Sequence, residues 1–131
     1  MSAETPSVPV SMKMVWAGRI ISALPVLALL MSGGMKLMQP PDLVEGFAKL
    51  GWPVSVALGL GIVELVCTAL YAIPRTSVLG AILLTGYLGG AIATHVRIGD
   101  PFIGPIILGV MIWLGLFLRD ARLRALIPLR S

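Results

Sequence analysis

Four apolar stretches dominate the chain, each close to the ~20 residues a helix needs to cross the hydrocarbon core of a bilayer. They run over about residues 15–35 ("VWAGRIISALPVLALLMSGGM"), 53–73 ("PVSVALGLGIVELVCTALYAI"), 77–96 ("SVLGAILLTGYLGGAIATHV") and 102–118 ("FIGPIILGVMIWLGLFL"). Composition removes the alternative of a water-soluble core. Of 131 residues, 57% are hydrophobic and 12% charged, and the mean hydropathy is +0.97. Soluble domains carry about a quarter charged residues, and a chain this short buries the smallest fraction of its surface. The sequence therefore reads as an integral membrane protein, all-α and built as one transmembrane domain whose first partner is the lipid bilayer.

The separators order the helices. Pro74-Arg75-Thr76 stops the second stretch, because proline lacks the N–H that the helical ladder needs. "RIGDP" ends the third, with Pro101 biasing Asp100 away from helix. Loops this short join antiparallel neighbours, so the expected fold is an up-down-up-down four-helix bundle. Pro25, in the middle of the first stretch, frees a carbonyl and predicts a kink. The longer connection, "KLMQPPDLVEGFAKLGW", carries Leu43, Phe47 and Leu50 at i, i+4 and i+7, with Asp42, Glu45 and Lys49 on other faces. That spacing predicts a short amphipathic helix over 42–50 at the membrane interface. Trp52, Trp16 and Trp113 read as interfacial anchors. The expected limits are a flexible tail over 1–12, the transmembrane domain over 13–120 and a basic tail over 121–131.

Charge sets the expected orientation. Lys13, Arg19, Arg75, Arg119, Arg122, Arg124 and Arg130 fall on one side of this topology, and Lys36, Lys49 and Arg97 on the other. By the positive-inside rule both termini face the cytoplasm, in a plasma (inner) membrane, with the amphipathic helix and "RIGDP" outside. The net charge of +4 carries no nucleic-acid footprint, since the basic residues sit at the ends of apolar runs without interleaved aromatics. The N-terminus lacks the early basic region of a secretory signal and is expected to stay uncleaved. The single Cys67 excludes an internal disulfide or a dithiol redox pair and reads as a small buried hydrophobe.

Helices in lipid pack where small residues let backbones approach, and the expected positions are Gly86 and Gly90, spaced GxxxG, with Gly89 beside them, and Gly59, Gly61, Gly109 and Gly115 on the other helices. Polar residues inside the spans each need a reason, because a charge there costs at least ~2.5–3.5 kcal/mol. Arg19 lies near a helix end and can snorkel. Glu64 follows Pro53 by ~16 Å of helix and lies near the midplane. A lone carboxylate at that depth takes up a proton unless a cation or several donors reach it. It reads either as hydrogen-bonding glue between helices or as the ligand-binding or basic group of an intramembrane pocket. Lys36 and His95 share a depth near the outer face, with Glu64 up to ~10 Å deeper. With Thr94 and Tyr87 they are the polar residues available to line one outward-opening cavity. Catalytic residues are not distinguished by the sequence. One His and one Glu without a usable Cys fall short of a catalytic metal site, so no metal is expected.

Taken together, "SGGMKL", "LGWP", "LGIVELVCTALYAIPR" and "LGAILLTGYLGGAIATHVRIGD" resemble the DoxX-like family of small four-span membrane proteins, over about residues 15–120. The recurring elements fall on Gly34 and Lys36, Gly51 and Pro53, Glu64, Pro74-Arg75, Gly80-Ala81, and Gly90-Ala91 with His95. The resemblance implies a four-helix membrane bundle with Lys36, Glu64 and His95 as its polar set. The family takes its name from a subunit associated with thiosulfate:quinone oxidoreductase, and other relatives are linked to redox complexes or to maturation of partner proteins. Relatives acting through paired cysteines do not apply to a chain with Cys67 alone.

Two functions follow as expectations. One is a binding protein for a small molecule or quinone, associated with an oxidoreductase, in which His95 exchanges protons with the outer face, Glu64 binds or relays and Lys36 holds an anionic group. The chain carries no electron-transfer cofactor of its own, so redox chemistry would need a bound quinone or a partner subunit. The other is a non-enzymatic accessory or assembly subunit of a larger membrane complex, or a homo-oligomer, docking through glycine-lined faces.

Overall fold

A computed structural model describes residues 11–127, all of whose regular elements are helical. The outer parts of the two expected tails, residues 1–10 and 128–131 with Arg130, lie outside the described residues.

Helix α1 (Met12–Met38) starts at Ser11, whose Oγ accepts from the Met14 N–H, and runs on through Pro25. It ends where Gln39 turns left-handed, at φ 53°, and donates its N–H to the Met35 carbonyl. Pro40 and Pro41 follow and bar any continuation. Helix α2 (Pro41–Leu50) has proline at its start, Asp42 in its first turn and Lys49 in its last, so its charges complement the helix dipole. Gly51 closes it at φ 81°, a conformation that glycine adopts without a Cβ penalty. Phe47 is buried, Leu43 and Leu50 half-buried, and Asp42, Glu45 and Lys49 exposed, as the i, i+4, i+7 pattern requires.

A 3-10 turn at Val54–Val56 leads into α3 (Ala57–Ala72), and a second at Pro74–Thr76 leads into α4 (Ser77–Arg97). Gly99, at φ 71°, turns the chain into α5 (Ile103–Arg119). Asp120 then accepts from the Arg122 N–H and starts a short α6 (Ala121–Arg124). The first part of the expected basic tail is thus helical, and its Leu123 is buried in the core.

Helix α1 packs on α3 and α5, and α4 packs on the same two. Leu29, Tyr71, Leu84, Ile112 and Leu116 fill the centre of this helical bundle. The outside is as apolar as the inside: Leu27, Met31 and Val110 are each 59–70% exposed. A soluble monomer does not tolerate so large an exposed apolar surface, so the bilayer is the solvent that this exterior matches. Three helical segments, Met12–Met38, Val54–Ala72 and Pro74–Arg97, are long and apolar enough to cross a membrane, and Ile103–Arg119 is apolar but shorter at 17 residues.

The close approaches fall at some of the expected glycines and not at others. A Cβ added at Gly59, Gly86 or Gly90 meets nothing within 4 Å. The backbones touch at Gly18 and Gly115 between α1 and α5, at Gly33 and Gly61 between α1 and α3, and at Gly80 against Tyr71. The GxxxG spacing marks a face of α4 that touches no other helix backbone. Trp113 is no interfacial anchor either: it lies in the middle of α5, its indole N–H donating to Thr85 at 2.7 Å.

Candidate functional site

The crossing of α1 and α3 at Gly33 and Gly61 builds the centre of the site. A Cβ on Gly61 would stand 3.0 Å from the Gly33 carbonyl and 2.9 Å from Lys36 Cβ, so the two backbones are in contact there. Helical side chains lean toward the N-terminus of their own helix. Lys36 therefore points back into the bundle and not out to the interface. Its Nζ donates to Ser32 one turn earlier, at 2.7 Å, and to Glu64 Oε1 on α3, at 2.8 Å. Tyr87, from α4, donates its hydroxyl to the same oxygen at 2.8 Å. Glu64 is 1% exposed and Lys36 14%. Three helices thus tie one buried carboxylate to a cation and a phenol.

One end of α4 carries His95. Its Nδ1 lies 2.7 Å from the Ala91 carbonyl, which can only accept, so Nδ1 bears a hydrogen. In the neutral ring Nε2 is then an acceptor, and it stands 3.9 Å from Asp100 Oδ2, beyond hydrogen-bond reach. Asp100 pairs instead with Lys49 of α2 at 3.0 Å. Arg97 donates to the Leu50 carbonyl at the C-terminus of α2, supplying a partner for an otherwise unmet acceptor. These two contacts fasten α2 across the end of α4.

Between α2 and the crossing lies a cavity of about 550 Å³. Lys36, Glu64, Tyr87, Thr94 and His95 all line it, together with Ser32. Phe47 and Leu50 of α2, Trp52, and Leu29, Leu60, Leu88 and Leu108 of the bundle supply its apolar walls. Thr94 spends its hydroxyl hydrogen on the Gly90 carbonyl of its own helix, at 2.8 Å. Among the described residues no group of three or more His, Cys, Asp or Glu is placed to hold a metal ion.

This polar seam on an apolar helical bundle has a counterpart in sequence comparison: residues 20–117 match the DoxX-like family. The chain belongs to that family. No curated protein and no solved structure matches it.

This DoxX-like protein holds a second polar cluster that sequence reasoning missed. Tyr71 Oη, fully buried, donates to the Ile112 carbonyl at 2.6 Å and stands 3.0 Å from Ser22 Oγ. Arg119 lies over the Tyr71 ring, 4.9 Å from its centroid, and reaches Ser22 at 3.1 Å, with Ser77 and the Tyr71 carbonyl each at 3.4 Å. The sequence counted Arg119 only toward membrane orientation, and a tyrosine inside an apolar run gives no sign of its partner. Ser32 could have been found, since it lies one helical turn before Lys36. Arg19 stays at the surface, its guanidinium 5.0 Å over the Trp16 ring.

Proposed function

We propose that this DoxX-like protein is an up-down-up-down four-span bundle of the plasma (inner) membrane that binds a small amphiphilic molecule in the Glu64 cavity. In this arrangement both termini are cytoplasmic, α5 is the fourth span and α2 lies at the outer interface, where it roofs the cavity. The observation that carries the reading is the shared lining: Lys36, Glu64, Tyr87, Thr94 and His95 converge on one space from three helices. Its volume of about 550 Å³ suits a ligand of ordinary small-molecule size, in a site with apolar walls and a few convergent polar groups. A quinone, bound as its hydroxyl-bearing quinol, is one such ligand, and binding one would associate the protein with an oxidoreductase. Within the chain Glu64 and Tyr87 orient the ligand, and His95, toward the aqueous face, is the group suited to exchange a proton there.

Mass spectrometry of small molecules extracted with the purified protein tests the reading. A stoichiometric ligand that is lost from Gly90→Phe supports it, because Gly90 lines the cavity and has room for a side chain. The same lipids recovered in the same amounts from both proteins would refute it. A second reading, a non-enzymatic accessory or assembly subunit, draws on a different observation. Gly59 and Gly89, outside the cavity lining, have open Cβ positions against which a helix of another protein could pack. Recovery of a membrane protein partner in fixed ratio, with no bound small molecule, would decide for it.

A further inference from the structure

We infer that the Glu64 cavity selects an uncharged amphiphile whose hydroxyl group donates a hydrogen bond to Glu64. The inference deepens the binding reading above and rests on it. Glu64 Oε1 receives both Lys36 and Tyr87, and Oε2 receives neither. Among the described residues no fully enclosed side-chain oxygen or nitrogen lacks a hydrogen-bond partner. Oε2 is therefore the carboxylate atom presented to the cavity that Glu64 lines. An ionised carboxylate only accepts, so the matching group on an occupant is a donor.

Charge narrows the class further. The Lys36 ammonium is already engaged by Glu64 and Ser32, so the floor of the cavity carries one cation and one anion in contact. An anionic headgroup would stand against Oε2, and a cationic one against Lys36, in surroundings where like charges repel far more strongly than in water. A neutral hydroxyl meets neither objection. Leu29, Leu60, Leu88 and Leu108 supply walls for an apolar body. His95 lies eight residues beyond Tyr87, ~12 Å along α4. Its Nε2 is a second acceptor in the neutral ring, so a ligand with a hydroxyl at its other end gains a contact there too. A long-chain phenol or alcohol has this chemistry, whereas a fatty acid or an ether of the same shape does not.

A matched set of probes tests this in nanodiscs of phosphatidylcholine: 4-heptylphenol, its methyl ether 4-heptylanisole, and 4-heptylbenzoate at pH 8. The shift in the thermal unfolding midpoint is followed against probe concentration for the wild type, Gly86→Leu and Glu64→Gln. Gly86 lines the cavity and its Cβ position is open, so leucine fills the space without a clash. The phenol should half-saturate at a concentration about tenfold lower than the ether, the worth of a hydrogen bond to a charged acceptor, and the benzoate should be the weakest. Gly86→Leu should abolish the saturable shift. In Glu64→Gln the carbonyl stays with Lys36 and Tyr87 and the amide N–H turns to the cavity, so the preference for phenol over ether should disappear. Equal half-saturation by phenol and ether in the wild type, with both lost in Gly86→Leu, would overturn the donor rule and leave the binding site standing. The same holds for tighter binding of the benzoate. Shifts that do not saturate, or that persist in Gly86→Leu, would overturn both.

Discussion

Lys36 and Glu64 meet at 2.8 Å one helical turn beyond Gly33 and Gly61, the two glycines at which α1 and α3 cross. The ion pair lies beside the crossing, where the close approach of the two helices sets Lys36 against the carboxylate buried on α3. Each partner is stabilised by the other in a place where either alone would be an uncompensated charge.

That dependence can be measured. Lys36→Met should cost about 3–5 kcal/mol, because it strands the Glu64 carboxylate with the Tyr87 hydroxyl alone. Combining it with Glu64→Leu should restore more than half of the loss. Reversible unfolding in detergent micelles reports both values. Losses that simply add would show that the pair is not coupled.

The polar cluster around Tyr71 gives a second prediction. Tyr71→Phe removes the donor to the Ile112 carbonyl and should cost about 0.6–2 kcal/mol, the range for hydrogen bonds between membrane helices. Arg119→Met keeps contact with the ring but leaves Ser22 and Ser77 without the guanidinium, and should cost a similar amount. In the same unfolding assay the double variant should lose less than the sum, since both changes dismantle one network. Strict additivity would show two independent contacts.

Glycines sort by what surrounds them. A Cβ at Gly80 would overlap the backbone of Tyr71, and one at Gly18 would come within 2.7 Å of the Gly115 carbonyl. Gly80→Ala and Gly18→Ala should each cost about 1–3 kcal/mol by overpacking. Gly59→Ala meets nothing, and should stabilise the helix by up to ~1 kcal/mol through propensity alone. Equal effects at Gly59 and Gly80 in unfolding measurements would contradict the packing described here.

Orientation can be read with a membrane-impermeant maleimide, because the native Cys67 is buried and should stay silent. Lys49→Cys, at an exposed position on α2, should label from outside the cell, and Ser11→Cys only after permeabilisation. Labelling of both from the same side would overturn the four-span topology.

The helices were legible in the sequence because their signals are local. Apolar runs, Pro74 and the "RIGDP" loop mark starts and stops within a few residues of where they occur. The grouping of Lys36, Glu64, Tyr87, Thr94 and His95 was legible from depth, since lipid leaves a polar side chain few places to go. What depth could not give was the partner of each atom. Lys36 was expected to hold an anionic group, and it is instead occupied by Glu64 and Ser32. The glycines of α4 differ from expectation for a related reason, whereas Gly61 and Gly115 do lie at close contacts. GxxxG identifies a smooth helix face, but whether a second helix covers that face depends on the other three. The α4 face with Gly86 and Gly90 borders the cavity without touching another helix backbone, and Gly80, two turns earlier, carries the contact.

The unequal lengths of α1 and α5 bear on the membrane itself. At ~1.5 Å per residue α1 extends ~40 Å and α5 only ~25 Å, against a hydrocarbon thickness of ~30 Å. Yet the two helices lie side by side through the Gly18–Gly115 contact and cannot adjust independently. Tilting both to fit α1 would leave α5 shorter still along the bilayer normal. With α5 as the proposed fourth span, the mismatch falls on the lipids: acyl chains beside α5 would compress while those beside α1 need not. The protein would sit in a lopsided annulus, thin on one flank, and short-chain lipids would collect on that flank.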